Sequence, residues 1–380
     1  MSALRVYLDH NASTPVRPEV AEIMRAAAEV ISANPSSLHA SGRLAREKIE
    51  DARFRVGRAL GCLPEEIIFT GGGSEADNLA IKGSVGARGG GHIVTTAIEH
   101  PAVLNPCRYL ESTDCTVTRV KPDAFGMIDP EAVAAAVRSE TVLVSVMAAN
   151  NEVGTVQPVR EIMKLLSPRG VLLHVDAIQA VGKIPVECPP GDMMAVSAHK
   201  IGGPKGVGAL YCRSGLELHS LIHGGGQEDG RRSGTENVAG IIGFALALEL
   251  AVAEVRKYGD RVSSLRDRLE TMIESSLPGV SFNGHRTARL PNTLNLSFAG
   301  VDGEALVLGL DARGVEVSTG SACSSGKLEP SHVLTAMGFG PERAQSAVRF
   351  SLGAATVEEE IRVAAEAVVE VVRSLRGRSR

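Results

Sequence analysis

Tryptophan is absent from the 380 residues, and four tyrosines and eight phenylalanines make the aromatic share only 3%. Platforms on which nucleic-acid bases could stack are therefore scarce. A long basic run is missing too: 40 Lys+Arg face 44 Asp+Glu for a formal charge of −4, whereas phosphate-backbone binding needs clustered cations. No direct nucleic-acid partner is predicted. The longest strongly apolar stretch free of charge, Asn237 to Leu248, is well short of the ~20 residues that span a bilayer, so neither a transmembrane helix nor a membrane partner is expected. Val6-Tyr7-Leu8 follows the start at once, leaving no room for the basic, apolar and cleavage segments of a signal peptide. A cytoplasmic location is expected. The six cysteines, Cys62, Cys107, Cys115, Cys188, Cys212 and Cys323, form no C-x-x-C pair, so zinc ribbons, Cys-ligated clusters and redox dithiols find no support and no metal site is predicted.

What the chain has is a globular balance, 44% hydrophobic and 22% charged, and a length that suggests two or three units able to fold without disulfides or metal. Glycine is over-used, at 41 residues against a usual ~7%, and clusters at Gly71-Gly72-Gly73, Gly89-Gly90-Gly91, Gly202-Gly203 and Gly224-Gly225-Gly226. Short β-branched runs near 66–69, 93–96, 142–146, 171–175 and 194–197 alternate with helix-period segments at 40–60, 75–83, 130–138 and 159–166. Several runs are apolar throughout, the mark of strands buried on both faces of a mainly parallel sheet. The chain is predicted to be α/β. A long helix from about Thr235 to Tyr258, continued by a polar helix from Asp260 to Ser275, leads to a second unit with strands near 293–298 and 348–352. A final helix is predicted to start at Thr356, with Glu359 completing a capping box. These patterns divide the chain into a large unit over 15–255 and a smaller one over 256–380 joined by residues 1–14.

Chemistry is suggested first by Phe69-Thr70-Gly71-Gly72-Gly73-Ser74-Glu75, where a strand runs through three glycines into a helix start. Free backbone N–H groups and the positive end of a helix dipole there make an anion site, suited to phosphate. It matches neither the G-K-[ST] of a P-loop nor the spaced G-x-G-x-x-G of dinucleotide folds. In a parallel sheet, ligands sit at the carboxyl ends of strands, and those ends carry Glu99-His100, Asn150-Asn151-Glu152, Asp176 with Gln179, and Ser197-Ala198-His199-Lys200. Asp176 leaves a buried strand, where an unpaired charge is costly and calls for a cation. Lys200 ends the next strand and suits Schiff-base chemistry; Lys205 is a rival amine that Gly202-Gly203-Pro204 carries away from the strand end. A phosphate cradle, a buried carboxylate and an amine are together what pyridoxal phosphate needs.

The segments Leu8-Asp9-His10-Asn11, Asn34-Pro35-Ser36-Ser37-Leu38-His39, Thr70 to Glu75, Glu99-His100, Asn150 to Gly154, Asp176-Ala177-Ile178-Gln179, Ser197 to Lys200, His223 to Glu228 and Arg231 to Thr235 resemble, in that order, the cysteine desulfurases. The likeness runs from about residue 6 to 353. It extends to Ser321-Ala322-Cys323-Ser324-Ser325-Gly326, whose small-residue setting suits a reactive thiol. That pattern resembles the branch serving general or nitrogen-fixation iron–sulfur assembly. The resemblance implies a fold-type-I transferase of the class V aminotransferase family: a large domain with a mainly parallel seven-stranded sheet flanked by helices, and a smaller α+β domain.

By the same resemblance, Lys200 holds pyridoxal 5'-phosphate and moves the Cα proton. Asp176 faces the pyridine nitrogen, Gln179 the phenolic oxygen, and His100 stacks on the ring and shuttles a proton to or from the substrate thiol. Gly73, Ser74, Ser197 and His199 hold the phosphate, with Thr235 reaching across a homodimer to form composite sites. Arg349 clamps the L-cysteine carboxylate, Asn151 lies near ring and substrate, and Cys323 takes the sulfur as a persulfide. The acceptor implied is a protein such as an iron–sulfur scaffold, with no resident metal but a cluster in contact with Cys323 during transfer. Gly73-Ser74 stands where many relatives have Ala-Thr, which keeps a hydroxyl and the backbone donors, and Ala354 stands where arginine is common, which bears on partner docking rather than chemistry. A transaminase or selenocysteine lyase on the same scaffold would not require Cys323.

Overall fold

A computed structural model describes residues 5–186, 190–319 and 330–378. Its twelve described strands are β1 (Val6–Tyr7), β2 (Ile67–Thr70), β3 (His92–Thr96), β4 (Thr116–Val120), β5 (Thr141–Met147), β6 (Leu172–Asp176), β7 (Met193–Ser197), β8 (Gly208–Cys212), β9 (Val280–Phe282), β10 (Thr293–Phe298), β11 (Val315–Glu316) and β12 (Ala347–Ser351). Seven of them form one sheet in the order β2-β8-β7-β6-β5-β3-β4. The run β7-β6-β5-β3-β4 is parallel throughout, and β8 lies antiparallel to both β7 and β2. Because β6 and β7 are buried at every residue, their continuous apolar sequences are what a sheet covered on both faces requires.

The covering layers follow from helical periodicity. In the helix Ala40–Leu60, Ala45, Ile49, Ala52, Val56 and Leu60 make one buried stripe, the His39 side chain accepts from the Gly42 N–H, and Gly61 closes the end in the left-handed conformation. Where two helices were expected in series, Val238–Ser276 is a single helix of 39 residues that runs through Gly259. By length and composition it could cross a membrane, yet half of its apolar window is buried within the fold. Its Gly243 lies so close to the helix Pro18–Val30 that a Cβ would meet Met24 Sδ at 2.6 Å, and Glu249 pairs with Arg55 and Arg58 of Ala40–Leu60. The apolar run is therefore spent on helix packing.

Two apolar cores flank the large sheet, and a third lies apart from it. This third core joins Val6 and Leu8 to residues from Val262 to Val372, around the antiparallel sheet β12-β10-β9 and the parallel pair β1-β11. The last helix departs from its expected start. It spans Glu358–Arg378, the Thr356 hydroxyl accepts from the Gly353 N–H at 2.9 Å, and Glu360, not Glu359, reaches back to the Val357 N–H at 2.8 Å. Glu359 pairs instead with Arg362. The expected capping box is displaced because the Thr356 hydroxyl already serves the turn before the helix.

Candidate active site

At the carboxyl ends of β5, β6 and β7, beside the end of β2, opens a cleft of about 630 Å³. Gly73, Ser74, His100, Asn151, Asp176, Gln179, Ser197, His199, Lys200 and Arg349 all line it. Thr235 does not; it is exposed elsewhere on this chain. Cys323 lies outside the described residues, as does Cys188. Of the other thiols, burial pushes Cys107 up to about 12 and Cys212 up to about 11, which suits packing rather than reaction.

The anion cradle is built by the turn after β2. Gly72 has φ +146°, a value that favours glycine, and it precedes the helical stretch starting at Gly73. A Cβ on Gly73 would come within 2.2 Å of Ile178 Cδ1, and one on Gly208 within 2.8 Å of the Gly72 backbone. Glycine thus lets three chain segments close around one spot. Ser197 Oγ is buried there without a hydrogen-bond partner. An anion bearing several acceptor oxygens would satisfy that hydroxyl together with the free N–H groups of the helix start. Glu75 stands next to this cradle, but its carboxylate is held by Arg232 at 2.7 Å and by the Gly71 N–H at 2.8 Å.

Asp176 ends β6 at 5% exposure, with Oδ1 accepting from the Ile178 N–H at 2.9 Å. Burial, and then the nearby Asp77, pushes its carboxyl up to about 7. Asp77 is itself buried, 3.4 Å from Nε2 of His174, whose Nδ1 lies 2.9 Å from Ser145 Oγ. A ring N–H⁺ beside Asp176 would restore its ionised form. These observations fit pyridoxal phosphate at both ends, the phosphate on the cradle and the pyridine nitrogen at Asp176.

Lys200 follows β7 in the short turn Ala198–Lys200, and its Nζ donates to the carbonyls of Asn11 at 2.6 Å and Ala12 at 2.8 Å. Lys205, expected to be carried away, also lines the cleft, but it is exposed and does not end a strand. His100 caps the helix Pro101–Glu111, its Nδ1 accepting from the Ala102 N–H at 3.1 Å. Burial and the charge of Lys200 push it down to about 4, so the ring is neutral with its proton on Nε2. His199 is likewise driven down to about 4 by burial and Lys200, and its Nδ1 lies 3.3 Å from Ser13 Oγ.

Arg349, on β12, is 3% exposed, with Nη1 donating to the Asn151 carbonyl at 3.0 Å, Nη2 to Asp9 at 2.7 Å, and a buried Nε without a partner. Its fork is thus partly engaged by the protein and oriented before any ligand arrives. Other strand-end groups turn away from the cleft. Glu99 is buried beneath it, accepting from Thr96 Oγ1 and the Met147 N–H, and Asn150 caps the turn at Glu152 and Val153. Asn11, named only as part of a motif, is the residue the sequence reading missed. It is 2% exposed, and its carbonyl receives both Lys200 Nζ and Gln179 Nε2. Its Nδ2 donates to Thr293 Oγ1 at 2.9 Å and the Asn151 carbonyl at 3.1 Å. The signal was available in the polar pair Asp9 and Asn11 within a segment that joins a buried strand.

Residues 6–363 match the family model described as aminotransferase class-V. Among curated proteins, the cysteine desulfurase IscS of Dictyoglomus turgidum is 47% identical over 375 residues, covering 98% of this chain and 95% of its own. Among solved structures, a NifS-like protein superposes with a TM-score of 0.92 at 39% identity, covering 98% of this chain and all of its own. The NifS-like protein from Rickettsia africae ESF-5 gives 0.88 at 34% identity, covering 97% and 99%.

Proposed function

The chain belongs to the class V aminotransferase family and is a pyridoxal phosphate-dependent cysteine desulfurase, and on that premise we propose which of its residues carry the reaction. Pyridoxal phosphate, when bound, supplies an electron sink that weakens bonds at the substrate's Cα and Cβ. Lys200 would hold the cofactor through its amine and, once free, would move the proton at the substrate's Cα. Asp176 would keep the ring nitrogen protonated, and Gln179 would bond the phenolic oxygen. The N–H groups of Gly73 and Ser74, with Ser197 and His199, would hold the phosphate. Thr235 completes it from the neighbouring subunit of a homodimer.

Arg349, already oriented by Asp9 and the Asn151 carbonyl, takes the substrate carboxylate, with Asn151 beside the substrate. His100 was expected to move a proton in either direction; the proton on Nε2 favours donation toward the substrate's sulfur or Cβ. The Cys323 thiolate attacks the sulfur of bound cysteine as the Cβ–S bond breaks. Cys323 is left as a persulfide and alanine departs. The persulfide sulfur passes to an acceptor protein, which we propose is an iron–sulfur scaffold in the cytoplasm, where a cluster would meet Cys323 only in passing.

The observation that carries this assignment is one cleft holding a strand-end amine, a buried carboxylate with a raised pKa and an unsatisfied serine hydroxyl above a glycine cradle. The test is paired. Cys323→Ala is expected to keep the yellow cofactor and lose sulfide release from cysteine in dithiothreitol, while Lys200→Ala changes the visible band itself. Unchanged turnover in Cys323→Ala would overturn the role given to that thiol.

A further inference from the structure

One buried amine in this region has no task in the reaction above. Lys183 is 4% exposed and lies one turn beyond Gln179. Its Nζ donates to Gln179 Oε1 and, at 3.0 Å, to Asn11 Oδ1. No carboxylate bonds to it among the described residues. The charges that act on it are those of Lys200 and Arg349, with His10 and His199 nearby; Arg17, Glu19, Glu254 and Tyr258 line a cavity with it, and neither acid bonds to it. Burial, reinforced by Lys200 and Arg349, pushes its pKa well below the ordinary lysine range. An apolar chain of the same length would avoid that cost, so what the amine adds is its N–H donors.

Those donors settle a question that a glutamine leaves open. A carboxamide is nearly symmetric in shape and can present either its oxygen or its NH₂ to a neighbour. Here Oε1 is claimed by Lys183, and Nε2 spends one hydrogen on the Asn11 carbonyl at 2.9 Å. The second Nε2 hydrogen remains for the cleft that Gln179 lines. Asn11 locks the arrangement from the other side: its Oδ1 also accepts from Asn292 Nδ2 at 3.0 Å and its carbonyl holds Lys200.

We propose that Lys183 is a positioning residue that holds the Gln179 carboxamide with its NH₂ edge toward the cofactor's phenolic oxygen, so that this oxygen always meets a donor and never a lone pair. The proposal rests on the assignment of the cleft to pyridoxal phosphate. A donor favours the ionised phenol, so the bound chromophore releases its proton at lower pH than it would against a flipped amide.

The experiment is a pH titration of the visible band in cofactor-loaded protein. Lys183→Met removes both donors at nearly constant length, and its midpoint is expected to rise by about one pH unit, a tenfold change in proton affinity. In a Gln179→Ala background the same substitution should add nothing, because its route to the cofactor is gone. Gln179→Glu, which keeps Lys183 and needs no cavity, should also raise the midpoint by turning an oxygen toward the cleft. Lys183→Gln retains a donor for Oε1 and should stay near wild type. An unmoved midpoint in Lys183→Met or in Gln179→Glu overturns the proposal, as does an equal shift with and without Gln179, which would mean that Lys183 acts by charge on Lys200. Wild-type protein that stays colourless with added pyridoxal phosphate would overturn the cofactor reading itself, whereas a coloured wild type with unmoved variants sinks this proposal alone.

Discussion

At the scale of single residues, Asp176 shows how a site can be costly until it is filled. Its carboxyl sits at about 7, against an ordinary 3.8, because burial and Asp77 disfavour the charge by more than Lys200 favours it. Between those values the folded chain holds a proton that the unfolded chain has released. By linkage, this residue's contribution to stability falls as pH rises from about 4 to about 7 and is constant above. The histidines driven down to about 4, His10, His100, His174 and His199, slope the opposite way between about 4 and 6.5, so the signal lies in a difference. Asp176→Asn cofactor-free protein is expected to gain stability relative to wild type across that window, on the order of a few kcal/mol by pH 7. With pyridoxal phosphate bound, the order should reverse, since only the carboxylate can pair with a ring cation. Urea unfolding at several pH values, with and without cofactor, measures both. A parallel pH dependence in the two proteins would show that Asp176 does not carry the raised pKa. This cost was legible in the sequence as an acid at the end of an apolar strand, but its neighbour Asp77 was not. Asp77 meets His174 only because the helix after β2, Gly73–Asn78, packs over β7 and β8 and so brings it within 3.4 Å of β6.

At the scale of elements, the segment from Ser220 to Asn237 shows what spacing alone could not convey. It was read for its glycines, yet its fixed point is an acid: Glu228 accepts from Arg53 Nη1 and Nη2 at 2.8 and 2.9 Å and from the Phe69 N–H at 2.9 Å. Glu228 and Asp229 both take left-handed conformations, with φ of 51° and 52°, which non-glycine residues adopt at a cost. The ion pair and the strand N–H hold them there. Removing Glu228 would leave the Phe69 N–H unpaired and the nearly buried Arg53 guanidinium with only exposed Glu50 and the Ile67 carbonyl. Glu228→Ala is therefore expected to cost about 3–5 kcal/mol of stability and to weaken cofactor binding through the displaced cradle turn that follows Phe69. Thermal melts and a pyridoxal phosphate titration of the variant check the two effects, and a change below about 1 kcal/mol would show that Glu50 and the Ile67 carbonyl suffice to hold Arg53. The legible elements were those whose burial matches their sequence. β5, β6 and β7 are apolar and buried on both faces. β4 escaped because its first four residues are exposed or half-buried at the sheet edge, and β8 because Gly208–Cys212, though as long as β6 and β7, opens with Gly-Ala, has no β-branched residue and lies antiparallel to its neighbours. The displaced cap at Thr356 depended on a hydroxyl turned backward to Gly353, which no residue spacing reveals.

At the scale of the whole molecule, the cleft draws on two cores that sequence patterning could separate but not dock. Most of its lining hangs from the large sheet, whereas Arg349 comes from β12 and Asn11 follows Leu8, which is buried in the core shared by β10 and β12. Asn11 ties the two together. It bonds to Lys183, Gln179 and Lys200 on one side and to Thr293, Asn292 and Ser351 on the other. The bonds to Gln179, Lys200 and Ser351 use its backbone and survive an alanine, but loss of the side chain takes Oδ1 from Lys183 and Asn292 and Nδ2 from Thr293 Oγ1 and the Asn151 carbonyl, leaving several buried groups unpaired at once. Asn11→Ala is expected to lower stability by more than 2 kcal/mol. It should also loosen the coupling between the cores, so that calorimetry of cofactor-free protein, expected to show a single transition in wild type, separates into two. Added pyridoxal phosphate and a non-reactive cysteine analogue, one held mainly by the sheet and the other by Arg349, should draw the two transitions back together, because a ligand spanning both cores stabilises their docked state by mass action. If Asn11→Ala instead lowers one transition without splitting it, the cores are held by the long helix Val238–Ser276 and their apolar contact, and Asn11 organises the cleft alone.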